Sequence, residues 1–435
     1  MLSAAERRAK TAAVIRVSSG NFIEMYDFMI FGYYAKYIGE TFFPVADPFA
    51  SLMLSLATFG VGYLMRPLGA IVLGAYIDKH GRRQGLLVTL GLMAIGSATI
   101  ALTPSYASIG IAAPLIVVAG RLIQGLSAGV ELGGVSVYLA EIATPGNRGF
   151  YTSWQSASQQ VAVMASALIS LVLLMTVSPA DMSAWGWRIP LILGCLIIPL
   201  VFVLRRSLQE TEVFAKKRTH HSVGQIFAIV AKNWPVVIIG MMMSVFTTTA
   251  FYLITAYTPT FGREALKMSA QDAMLVTLFV GASNFIWLPV GGWLSDRFGR
   301  RKLLYGIPLL AILTVYPIMD WLVEGPTFAK LLTAELSISV MFGLYNGAMV
   351  PRLTEIVDPH VRTAAFALAF SLATAIFGGF TPAVATYLIQ ATGNKAAPAL
   401  WLSLAAAISL VGAFLSRNLG VGIHDDFEVE PAAAI

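Results

Sequence analysis

Residues 74–83 read GAYIDKHGRR and residues 292–301 read GWLSDRFGRR; glycine, aspartate, glycine and two arginines recur in the same order and spacing, 218 residues apart. Self-similarity at half the length of a 435-residue chain means one structural unit written twice. A second pair agrees: Glu141, Ile142, Pro145 and Arg148 return as Glu355, Ile356, Pro359 and Arg362 at an offset of 214. Each copy of the arginine-rich loop follows the second apolar segment of its half. Each half therefore holds an even number of segments in the same orientation. That pattern predicts two parallel repeats related by an axis along a membrane normal.

Hydrophobic residues make up 57% of the chain and charged residues 12%, whereas soluble domains carry about 25% charged residues. A water-soluble core cannot absorb that excess. The runs Gly91–Leu102, Ile109–Val118, Val161–Val177, Ile189–Leu204 and Leu303–Tyr316 approach the ~20 residues that cross the hydrocarbon of a bilayer. With shorter runs extended by small and hydroxyl residues, about twelve such helices are expected. The expected fold is an all-α polytopic membrane protein, its roughly twelve transmembrane helices forming two six-helix bundles with pseudo-two-fold symmetry. Met1–Arg16 is short, polar and basic, and the apolar stretch after Gly20 runs straight into a full span, so no cleavable signal peptide is expected. The single cysteine, Cys195, excludes an intramolecular disulfide framework.

The net charge of +6 points to topology and not to nucleic acid, because the basic residues recur on alternate loops. Arg7, Arg8, Lys10 and Arg16 precede the first helix; Lys79, Arg82 and Arg83 follow the second; Arg148, the 205–232 connection, Arg297, Arg300, Arg301, Lys302, Arg362 and Arg417 continue the series. The positive-inside rule then puts both termini in the cytoplasm. The expected organisation is a cytoplasmic N-terminus (1–17), an N-terminal six-helix bundle (18–204), a cytoplasmic linker (205–233), a C-terminal six-helix bundle (234–417) and a polar cytoplasmic tail (418–435).

Three sets of residues carry chemistry. The loop motif needs its glycine for a tight turn between antiparallel helices, and its charges can close the cytoplasmic face by pairs that break on opening. Asp78, Arg82, Arg83, Glu141 and Arg148, with their copies Asp296, Arg300, Arg301, Glu355 and Arg362, form this candidate gate. Charges inside spans are costly and functional by default. Glu24 and Asp27 lie three residues apart on the first helix and so share a face. Arg66 is on the second helix, ~18 Å from the inner loop, and Arg121 and Glu131 are on the fourth, with Arg121 ~30 Å from Glu141. A buried carboxylate beside an arginine can exchange its salt bridge for a proton. Asp27, Glu24, Arg121 and Glu131 are therefore the proton-coupling candidates, the alternative being a permanent ion pair between the first and fourth helices.

Arginine also binds carboxylates bidentately, so Arg66 and Arg121 are candidate substrate ligands. Asn21, Tyr26, Gln155, Gln159, Tyr252, Asn284, Tyr345 and Asn346 are the candidate neutral donors. Each has a plainer alternative, a hydrogen bond to a neighbouring helix. No span holds a histidine, and neither a metal-ligand cluster nor a phosphate-binding glycine loop is present in the sequence. No metal, no cofactor and no enzymatic activity are expected, and an ion gradient is the expected energy source.

At this point the residues resemble a known family. DKHGRR at 78–83 with its copy at Asp296, RLIQG at 121–125 and the Glu141/Arg148 pair are similar to signatures of the major facilitator superfamily. NFIEMYDF at 21–28, RPLG at 66–69 and LRRSLQETE at 204–212 resemble its metabolite:proton symporters. GVELGGVSVYLAEIATPG at 129–146 and GFYTSWQSASQQ at 149–160 resemble the bacterial citrate and tricarballylate proton symporters within that group. The likeness runs from Arg16 to Arg417 and takes in YNGAM at 345–349 and SLATAIFGG at 371–379.

What the resemblance implies is the major facilitator fold in a bacterial inner membrane and import of a tricarboxylate with protons as the coupling ion. Alternating access would occur around a central site, in a monomer that binds lipid and no nucleic acid. Asp27 with Arg121 matches the pairing of a first-helix aspartate and a fourth-helix arginine in proton-coupled sugar porters. Arg352 departs from the uncharged residue of the citrate carriers, which bears on the preferred anion. The alternatives are symport of a dicarboxylate, shikimate or a zwitterionic osmolyte, and a receptor that signals without transport.

Overall fold

A computed structural model describes residues 21–80, 82–129, 131–206, 232–357 and 362–419, with a few isolated positions near the N-terminus and residue 224. The linker after residue 206 and the tail after residue 419 lie outside the described residues. The described chain is helical throughout. Helix α1 is Asn21–Tyr33 continued by Ala35–Phe42, α2 is Pro48–Leu64 continued by Arg66–His80, and α3 is Arg82–Leu102. Helix α4 is Ala112–Ala128 continued by Glu131–Glu141, α5 is Arg148–Thr176, and α6 is Ile189–Arg206. In the second half, α7 starts as Trp234–Tyr252 and passes through two π-helical turns, Leu253–Tyr257 and Phe261–Ala265. Helix α8 is Ala270–Phe298, α9 Arg300–Val323, α10 Phe328–Glu355 and α12 Pro398–Leu415. Helix α11 is Arg362–Ala373, a π turn Thr374–Gly378, and Thr381–Thr392. These are the expected spans, and nine of them among the described residues are long and apolar enough to cross a membrane outright. The other three, α1, α3 and α6, are the shorter or more charged.

Local chemistry sets the helix ends. Asp47 accepts from the Phe49 amide at 3.0 Å ahead of Pro48, Ser269 from Asp272 at 3.0 Å, and Thr327 from Lys330 at 3.2 Å. Each side-chain oxygen satisfies a donor that the first turn would leave unpaired. All three caps start helices that run toward the loops carrying the arginine motif, called here the motif end. There Gly299 adopts φ 86°, a left-handed conformation available to glycine, and turns the chain from α8 into α9.

Side chains at the perimeter are apolar and exposed, as Leu102, Leu168, Met175 and Leu313 show, which suits a lipid solvent. Inside each half, bare backbones meet. A Cβ on Gly125 of α4 would fall 1.6 Å from the carbonyl oxygen of Gly62 on α2, and one on Gly291 of α8 would fall 2.4 Å from the carbonyl oxygen of Gly343 on α10. The α2–α4 contact is thus repeated as α8–α10, in keeping with the duplicated sequence, and small residues are what permit such approach in lipid. Helices α5 and α8 form the longest seam between halves. Helix α10 is one unbroken helix despite Pro351, whereas the glycines of α11 coincide with its π turn.

Candidate functional site

The intramembrane charges of the first half meet at its centre on a floor of aromatic rings. The guanidinium of Arg66 lies 5.1 Å from the Phe28 ring centroid and 4.8 Å from that of Tyr63; the guanidinium of Arg121 lies 4.4 Å from both Phe28 and Phe31. Phe28 therefore carries both cations, and its π face supplies attraction that water would otherwise give. The two arginines differ in their polar partners. Arg66 is ion-paired with Glu24. Arg121 donates to Gln124 Oε1 at 2.7 Å and to the Phe59 carbonyl at 3.4 Å, both neutral.

Asp27 sits behind this pair. Ser97 of α3 donates to its Oδ2, and Gln124 donates to Ser97 at 3.0 Å. Asp27 and Arg121 are thus joined through Ser97 and Gln124 and are not in contact. The other carboxylate oxygen, Oδ1, has no hydrogen-bond partner among the described residues and faces Gly194 of α6, where a Cβ would lie 2.6 Å away. Asp27 is 1% exposed and Arg121 0%, so their charges are held out of water. Burying such a charge without a direct counter-ion is costly.

The second half covers the cluster. Tyr252 of α7 packs edge-on against Tyr63 at 5.1 Å and Phe59 at 6.0 Å. On α8, Asn284 donates to Gln160 of α5 at 3.1 Å and accepts from Ser339 at 2.6 Å, joining the halves. Asn346 donates to Thr247 at 2.9 Å and leaves its Oδ1 without a partner among the described residues, as Gln155 leaves its Nε2. Gln159 is buried on the same helix. Tyr26 and Tyr345 turn elsewhere: they donate at 2.9 Å to Pro190 and at 2.8 Å to Met243, backbone carbonyls within their own halves. The side chains of Asn21 and Glu131 lie outside the described residues.

Both ends of the interface between halves are closed. At the motif end, Asp296 accepts from the Gly149 and Phe150 amides at 2.8 and 2.9 Å, seating a carboxylate on the positive N-terminus of α5. Glu355 meets Arg300 at 2.7 Å and Arg148 at 3.8 Å, and Arg300 meets Asp296 at 3.6 Å. The structure thus brings four of the ten candidate gate residues together across the halves. Arg362 is buried at the start of α11, Glu141 is exposed, Arg301 donates to the Arg417 carbonyl at 3.4 Å, and the side chains of Asp78, Arg82 and Arg83 lie outside the described residues. At the far end, Lys36 meets Glu264 at 2.9 Å and Arg263 donates to the Tyr37 hydroxyl at 3.1 Å. Beneath them a cavity of about 30 Å³, lined by Tyr33, Tyr34, Tyr37 and Arg263, holds little more than a water.

Arg352 does not face the centre. It donates to the Ser416 carbonyl and, at 2.9 Å, to that of Leu419, a cation at the C-terminus of α12. Ser97 and Glu335 are functional-site candidates that sequence reasoning did not single out. Glu335, 5% exposed in α10, had a signal available: it lies 214 residues after Arg121, the offset of the second repeat pair.

The Major Facilitator Superfamily profile matches residues 17–382. The chain is 58% identical to the citrate-proton symporter of Salmonella typhi, over 94% of each protein. It is 57% identical to that of Klebsiella pneumoniae, over 96% of this chain and 94% of the relative. In fold it is similar to the xylose transporter XylE from E. coli in a partially occluded inward-open conformation, with a TM-score of 0.73 and 17% identity over 98% of this chain and 99% of the other.

Proposed function

Because the chain belongs to the major facilitator superfamily, we infer that it is a proton-coupled symporter that brings citrate across the membrane by alternating access of its two halves. It is a carrier and not an enzyme, with protons as coupling ion. The observation that carries the anionic substrate is the inequality of the two stacked guanidiniums: Arg66 has a carboxylate partner, while Arg121 is held by neutral groups and rings. A carboxylate of citrate is the bidentate acceptor Arg121 lacks.

In this reading, Asp27 is the proton site. With Asp27 ionised, its charge reaches Arg121 through Ser97 and Gln124 and holds the guanidinium inward. A proton on Asp27 cancels that attraction and leaves Arg121 to citrate, with Arg66 and the amides of Gln155 and Asn346 as further ligands. Bringing each net negative charge inward against ~100 mV costs ~2.3 kcal/mol, and accompanying protons remove that cost. The motif end is the cytoplasmic gate of Arg148, Asp296, Arg300 and Glu355, and the Lys36–Glu264 pair closes the outer side. The carrier works as a monomer in the bacterial inner membrane with both termini inside. Its bundles span 18–204 and 234–417, joined by the linker 205–233.

The test is uptake of labelled citrate into proteoliposomes under an imposed pH gradient, with unlabelled di- and tricarboxylates, shikimate and betaine as competitors. Accumulation that collapses with a protonophore and is displaced by tricarboxylates supports the reading. Uptake indifferent to the gradient refutes it.

A further inference from the structure

We propose that Glu335 is a second proton-carrying carboxyl, in the half opposite to Asp27, so that more than one proton crosses with each citrate; this rests on the symport reading above.

Register is the first support. The 214-residue offset that relates Glu141 to Glu355 also relates Gly129 to Gly343, Gly133 to Gly347, and Arg121 to Glu335. The glycines keep equivalent jobs: Gly129 of α4 abuts the backbone of α2 at Arg66, and Gly343 of α10 abuts that of α8 at Trp287. Glu335 therefore occupies the place in the second half that Arg121 occupies in the first, an acid where the copy has a base. Arg121 lies nine residues from the far end of α4 and Glu335 seven from that of α10, so both sit roughly 10–14 Å deep.

Surroundings are the second. Glu335 is buried, its Oε2 has no hydrogen-bond partner among the described residues, and its contact is the hydroxyl of Thr258. That hydroxyl directs its one proton to the Leu253 carbonyl at 3.4 Å. The hydroxyl can also rotate to donate to the carboxyl, so the contact suits a group that changes its charge. The charged groups of the neighbouring helices are engaged elsewhere or sit at helix ends. Arg263 and Glu264 of α7 meet Tyr37 and Lys36, Lys330 bonds the Trp321 carbonyl at 2.8 Å, Asp272 is in the first turn of α8, and Asp320 of α9 is exposed. A carboxylate with no cation beside it at this depth is held neutral by a proton.

Location is the third. Thr258 opens the single α-helical turn between the two π turns of α7, Leu253–Tyr257 and Phe261–Ala265. Such insertions cluster at functional sites because they loosen the local hydrogen-bond ladder. When α7 moves relative to α10, the Thr258 contact is broken and Glu335 can exchange its proton with the side then open.

The experiment uses the full chain in proteoliposomes with citrate as the transported probe, and reads the proton-to-citrate ratio from the voltage that nulls citrate flux at fixed gradients. Glu335→Gln is expected to lower the ratio by one proton and the limiting accumulation about fifty-fold, the worth of one charge at ~100 mV. Glu335→Asp is expected to restore the ratio. An unchanged ratio in Glu335→Gln beside normal symport overturns the second site alone. Absence of proton-driven uptake in the unaltered protein refutes symport itself. Should Glu335→Gln not assemble, infrared spectra in the Asp27→Asn background must show a protonated-carboxyl stretch that shifts on Glu335→Asp; its absence overturns the assignment.

Discussion

Replacing Glu355 with glutamine tests the gate where it is most concentrated. The carboxylate is 8% exposed and meets Arg300 at 2.7 Å and Arg148 at 3.8 Å, one arginine from each half. A hydrogen bond between charged groups contributes roughly 1.5–3 kcal/mol. Two features reduce that here. Arg300 shares the half of Glu355 and stays with it on opening, so the pair that breaks is the 3.8 Å contact with Arg148. That side chain keeps 24% of its exposure and glutamine still offers a neutral acceptor, so about 0.5–1 kcal/mol of closed-state stability is lost. At 1.4 kcal/mol per tenfold, the population open at the motif end should rise about 2- to 5-fold. Spin labels at Asn147 and Lys302, exposed positions on opposite halves, report the change once Cys195 is replaced by alanine. Pulsed dipolar spectroscopy should then show a longer-distance component growing by that factor. A distance distribution superimposable on that of the parent would show that Glu355 does not hold the gate, and the inference from its contacts would fail.

Further outcomes follow from the site. Asp27→Asn should bind citrate within about twofold of the parent, by calorimetry, yet equilibrate it without accumulation in vesicles, because the proton site is gone. Arg121→Lys keeps the charge but loses the planar fork, and citrate affinity should weaken about 10- to 100-fold in the same calorimetric assay. Gly125→Ala brings a Cβ to 1.6 Å from the Gly62 carbonyl and should cost about 3 kcal/mol or more of stability. Thermal unfolding in detergent checks it, with Gly91→Ala, which has nothing within 4 Å, as the unaffected control.

Much of the architecture was legible because it rests on one-dimensional signals. The duplicated Asp-Gly-Arg-Arg loop set the symmetry, and hydropathy set the spans. A residue count along a helix converts directly to distance along its axis, and Arg66, Arg121, Glu24 and Asp27 do gather in one cluster of the first half. Azimuth was not legible. Glu24 and Asp27 are one turn apart and share a face loosely, but three residues fall about 60° short of a full turn. That difference sends Glu24 to Arg66 on α2 and Asp27 to Ser97 on α3. The same ambiguity hid the inward contacts of Tyr26 and Tyr345, which satisfy backbone carbonyls of their own bundles. Glu335 escaped notice because FAKLLTAEL, at 328–336, has a lysine and lies near a span end. It reads as an interfacial acid until the register of the repeat puts it opposite Arg121.

The Glu24–Arg66 pair has a consequence for direction of flux. A carrier whose binding cation depends on cargo for neutrality cannot shut without cargo, and is restricted to swapping one solute for another. Here Glu24 of the same bundle travels with Arg66, and in the mechanism proposed above ionised Asp27 offsets Arg121 through Ser97 and Gln124, so the unladen protein can reset and fetch again. That makes it a net importer, able to fill a cell that contains nothing to give in return.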